Sequence, residues 1–121
     1  MKRLALAVIL VLGISGTAYA DVLFTPSLPA IYAPNEVHCS IVNVDGRTRD
    51  VVIEVLNPGG GVVGTSGHIH LAPGNAAVVA VLGNLTPNYC RFEVEGHGKK
   101  FRAGIAVLHP ELGMISALPA K

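Results

Sequence analysis

Two cysteines, Cys39 and Cys90, constrain this chain more than any other feature, because each sits inside a run that alternates apolar and polar residues. In the first run Val37, Cys39 and Ile41 share one face while His38 and Ser40 take the other. In the second, Cys90, Phe92 and Val94 oppose Tyr89, Arg91, Glu93 and Glu95. Alternation with a period of two marks a half-buried strand, and here it turns both cysteines toward the core. A bond between them would join strands of opposite sheets and close a loop of roughly 52 residues, which the chain-entropy model values at about 4 kcal/mol. The pair defines a fold and no chemistry.

A disulfide requires an oxidising compartment, and the start of the chain supplies a route to one. Lys2 and Arg3 precede an apolar run from Leu4 to Ile14, and Ala18-Tyr19-Ala20 forms an A-x-A cleavage motif ahead of Asp21. The run is shorter than the roughly 20 residues that cross a bilayer. Residues 1–20 are therefore expected to be a signal peptide, and the protein to be exported, periplasmic or extracellular, with no stable membrane span after cleavage. The remainder is one domain by length, divided into a sandwich over 21–110 and a tail over 111–121. Without Lys2 and Arg3, seven Lys and Arg face eight Asp and Glu. That balance gives no basic footprint for nucleic acid.

Turn signals punctuate the rest at spacings of about 8 to 12 residues, the pattern of an all-β sandwich. Pro26, Pro29 and Pro34 break residues 21–35 into pieces of an edge strand. Strands are expected over 36–44, 49–56, 62–65, 68–71, 76–82, 89–95 and 100–108, with Ser66-Gly67 dividing the two short ones. The apolar run Ala76–Leu82 reads as a central strand. Gly96–Lys99 reads as a hairpin loop that places Val94 opposite Phe101, Glu93 opposite Arg102 and Cys90 opposite Ile105.

Several of these segments, Ile41-Val42-Asn43-Val44-Asp45-Gly46, VVIEVLNPGGGVV, Leu71-Ala72-Pro73-Gly74 and Tyr89 to Val94, resemble bacterial extracellular immunoglobulin-like and fibronectin-III-like domains. The nearest type is the cell-adhesion-related domain called CARDB. The resemblance covers residues 36–108 and implies an Ig-like two-sheet antiparallel sandwich of seven or eight strands, acting as an interaction or adhesion module. The sequence departs from the pattern in two ways. One extra residue separates Asn43 from Gly46, which suggests a bulged first hairpin, and no tryptophan packs on the cysteine pair.

Chemistry-bearing residues are sparse. His68 and His70 form an H-x-H pair whose imidazoles share a strand face, close enough to share Cu or Zn. Full coordination would need further ligands, and His38 is expected on the same side but about 10 Å away. Gly64-Thr65-Ser66-Gly67 lacks the spacing of a nucleophile elbow, and no catalytic set is visible, so neither enzyme activity nor a cofactor is expected. Tyr89, Arg91, Glu93 and Arg102 are expected to form an exposed sheet surface that meets an unknown protein or cell-surface ligand. Two other readings are a small periplasmic Cu/Zn-binding protein using His68 and His70, and a secreted enzyme inhibitor.

Overall fold

The computed structural model describes residues 21–28 and 33–121. The expected signal peptide lies outside the described residues. Eight strands form two four-stranded antiparallel sheets: β1 (Asp21–Phe24), β6 (Tyr89–Val94), β3 (Arg49–Leu56) and β4 (Val62–Leu71) in that order, and β5 (Ala76–Leu82), β2 (Glu36–Asn43), β7 (Phe101–His109) and β8 (Gly113–Pro119) in the other. The protein is thus an all-β, two-sheet sandwich.

The period-two faces hold. Val37, Cys39 and Ile41 of β2, Val51, Ile53 and Val55 of β3, and Cys90, Phe92 and Val94 of β6 are all fully buried. The Cys39–Cys90 disulfide joins β2 to β6 across the core with the Cα atoms 5.8 Å apart, within the range a bridge allows. Thr25, just beyond β1, packs beside it. Its backbone N–H donates to the carbonyl of Cys90 at 3.1 Å, and its Oγ1 accepts from the amide of Cys90 at 2.9 Å.

Several expectations about strands and their neighbours fail. First, β6 and β7 are not a hairpin. They lie in opposite sheets, with β1 beside β6 and β2 beside β7, so Cys39 and not Cys90 stands opposite Ile105. The connection crosses the sandwich through a 3-10 turn at Gly98–Lys100. Lys100 directs it there: its carbonyl accepts from the amide of Val44 at 2.9 Å and its ammonium meets Asp45 at 3.3 Å, fixing the start of β7 at the end of β2. Second, the segment from Val44 to Thr48 also crosses between sheets, so no bulged first hairpin exists.

Third, β4 is one ten-residue strand. Ser66 and Gly67 form an irregularity opposite Ile53, where the Ser66 hydroxyl accepts the Ile53 amide at 2.9 Å in place of a backbone carbonyl and Gly67 takes φ 65°. The 62–65 and 68–71 pieces are therefore continuous. β5 is an edge of its sheet, not a central strand. Fourth, the expected tail contains β8, paired along β7 from Gly104 to His109. The amides of Glu111 and Leu112 donate to His109 Nδ1 at 3.0 and 3.2 Å, turning the chain at Pro110 where a stop was expected.

Candidate partner-binding face

The outward residues of the β1-β6-β3-β4 sheet line up in rows set by register. Phe24, Arg91, Glu54 and Thr65 form one row; Val22, Glu93, Val52 and His68 form the next; Asp50 and His70 stand opposite each other beyond it. Two groups read separately from the sequence, the H-x-H pair and Tyr89, Arg91 and Glu93, therefore share one sheet face. Arg102 does not join them. It lies on β7, in the opposite sheet; His38, on β2 of that same sheet, has its Nε2 3.3 Å from Glu36 Oε1.

Arg91 is the fixed point of this face. Its Nε donates to Glu54 Oε1 at 2.7 Å, an Nη2 contact reinforces that bond, and Glu93 Oε1 lies 3.8 Å from Nη2. The Glu54 carboxylate pushes the Arg91 pKa above its ordinary value, because hydrogen bonds from an anion favour the charged form. A long side chain that ordinarily samples many rotamers is thereby held in one fork geometry. Glu54 is only 16% exposed against 34% for Arg91, so the carboxylate supports and the guanidinium presents.

Apolar surface flanks the ion pair. Val22 and Phe24 alternate outward from β1 at 48% and 47% exposure, and the Phe24 ring stands 6.5 Å from that of Tyr89 at a tilted angle. Tilted aromatic pairs of this separation are favourable beyond their buried area. At the β4 side the Asp50 carboxylate contacts His70 Nδ1, and both His68 and His70 are exposed. A carboxylate on one ring nitrogen leaves the other free to meet a ligand. No group of three or more His, Cys, Asp or Glu side chains able to hold a metal occurs among the described residues.

Sequence reasoning missed Val22, Phe24 and Glu54. Glu54 is the lone charge in the apolar run Val51–Leu56, and such a residue in a strand core signals a cross-strand partner. For Phe24 the sequence carries no such signal, because Val22, Leu23 and Phe24 are an unbroken apolar run with no period-two alternation to set one of them outward.

No protein-family model matches the chain, and no curated protein is similar to it. Among solved structures it is similar to the crystal structure of Thermotoga maritima 1070, with a TM-score of 0.59 at 11% identity over 85% of this chain and 94% of that one. At that identity the likeness concerns the fold alone, and it is a likeness between whole domains.

Proposed function

We propose that this protein is an exported, non-enzymatic binding module of the Ig-like, CARDB-like kind, which meets a protein partner through the outer face of β1, β6 and β3. The observation that carries this reading is exposed Val22 and Phe24, with Phe24 against the half-buried Tyr89 ring and opposite an Arg91 already immobilised by Glu54. Tyr and Arg dominate binding hot spots, and a prepaid side-chain conformation lowers the cost of association. Export is supported by the cleavage motif directly ahead of β1 and by the disulfide, which persists in oxidising compartments.

Photo-crosslinking tests it. Benzoylphenylalanine in place of Val22, in cells producing the full chain, is expected to yield a discrete adduct that disappears when Tyr89→Ala is added. The same group in place of Val78, on the outer face of the other sheet, is expected to yield none. No adduct from position 22, or equal labelling from both positions, would overturn the reading.

A further inference from the structure

The seven Lys and Arg residues of the described chain are used unevenly. Arg49 and Lys100 meet Asp45 at 2.7 and 3.3 Å, and Arg91 is held by Glu54. Arg47, Lys99, Arg102 and Lys121 have no carboxylate partner among the described residues. Three of those four, Lys99, Arg102 and Lys121, line a single groove of about 650 Å³. Its only carboxylate side chain is Asp21.

The groove lies at a seam between the sheets. There the Ala120 amide donates to the Ala103 carbonyl at 2.8 Å, while Phe24 and Lys121 exchange two backbone hydrogen bonds of 3.0 Å. Leu23, Phe101, Ala103 and Ala120 supply apolar lining. One wall is the Gly98–Lys100 turn, which is fixed in advance. The Gly98 amide donates to Asp21 Oδ2 at 2.6 Å, and a Cβ on Gly98 would stand 2.6 Å from Leu23 Cδ2. A Cβ there would require the Leu23 side chain to move aside. Asp21 thus directs one oxygen to the wall. Arg102 Nη1 donates to the carbonyls of Lys99 and Phe101 at 3.0 and 2.9 Å, which positions the guanidinium and leaves its other N–H groups available.

We propose that this groove binds a small amphipathic anion, with a carboxylate, sulfate or sulfonate head at Arg102 and Lys99 and an apolar body along Leu23, Phe101 and Ala103. Three basic residues lining one groove beside apolar walls, with Asp21 the only carboxylate side chain there, concentrate anions. The volume falls in the range of about 300–1,000 Å³ typical of small-molecule sites. Unlike the proposed protein-binding face, the groove uses neither Tyr89 nor Arg91, so either proposal can fail without the other.

Titration of the full chain with anilinonaphthalene sulfonate, followed by fluorescence, tests it. We expect one saturable site that is weakened at least about tenfold by combined Lys99→Glu and Arg102→Glu. Arg102→Gln, which removes a charge without reversing it, should weaken it severalfold, and the thermal transition of each variant verifies folding. Arg47→Glu, a charge reversal outside the groove, should leave binding unchanged. Neutral phenylnaphthylamine, lacking the sulfonate, should bind at least about tenfold more weakly than the anion. Absence of saturable binding, survival of binding in the double variant, equal binding of the neutral dye, or an equal loss in Arg47→Glu would each overturn the proposal.

Discussion

Asp45 shows how much organisation one side chain can carry. It accepts from Arg49 Nε at 2.8 Å and meets Lys100 at 3.3 Å, so one carboxylate joins the start of β3 to the start of β7. The Arg49 hydrogen bond, with help from the Gly46 amide and Lys100, lowers its pKa from 3.8 to about 2. A carboxyl group whose pKa is depressed by folding stabilises the fold fully above its unfolded pKa and loses that contribution as the pH falls through the folded one. Asp45 should therefore contribute down to about pH 4 and cease to near pH 2. Asp45→Asn is expected to lower the melting temperature at pH 6 and to flatten the loss of stability between about pH 4 and 2; an unchanged slope would show that other carboxylates dominate there. Nearby, Asn43 is fully buried, donating to the carbonyls of Arg47 and Leu71 at 2.8 Å and accepting from the Asp45 amide at 2.9 Å. The position of Asn43 at the end of an alternating strand was visible in the sequence. Its burial was not, because a polar residue becomes a core residue only when distant backbone groups arrive to satisfy it.

Elements were legible through their own periodicity, and their neighbours were not. Inward parity on β2, β3 and β6 follows from residues two apart, so Cys39 and Cys90 were correctly turned toward each other. Pairing depends on which backbone edge a strand meets, and no residue of β6 encodes that its neighbour is β1. Short sequence separation favoured a β6–β7 hairpin, but the contacts of Lys100 with Val44 and Asp45 outweigh it. The same limit separated Arg102 from Tyr89, Arg91 and Glu93, whose shared strand kept them together. β8 was lost because Pro110 and the weakly alternating stretch after it resemble a tail, and its edge position leaves most of its residues exposed. Its docking relies on Gly104, where an added Cβ would stand 2.7 Å from the Leu118 carbonyl oxygen, a backbone atom that cannot swing aside. Gly104→Ala should force β8 away from β7 at a cost of about 1–3 kcal/mol. Amide hydrogen exchange should accelerate in β8 and remain slow in β3, and uniform protection in the variant would count against this account.

At the scale of the molecule the disulfide is the strongest covalent constraint on the unfolded chain. Its partners are 51 residues apart, and a loop of that size corresponds to about 4 kcal/mol. Replacing both cysteines by alanine is expected to lower the melting temperature by roughly 15–30 °C for a domain near 100 residues, measured by calorimetry at neutral pH. A loss of only a few degrees would indicate that the Phe92, Ile53 and Ile105 core holds the sheets together without it. The two hydrogen bonds between Phe24 and Lys121 bear on a different matter, the order in which the fold can be assembled. The first strand pairs with residues 91–94 and with residue 121, and among the described residues with nothing near it in sequence. Such distant pairings carry a high contact order, and the entropy of closing the intervening chain must be met before they return any energy. Among the described residues, a chain emerging from the ribosome therefore has no local partner for Asp21–Phe24. That strand closes only once residues 91–94 have been made, so its edge of the sheet is among the last parts of the sandwich to form.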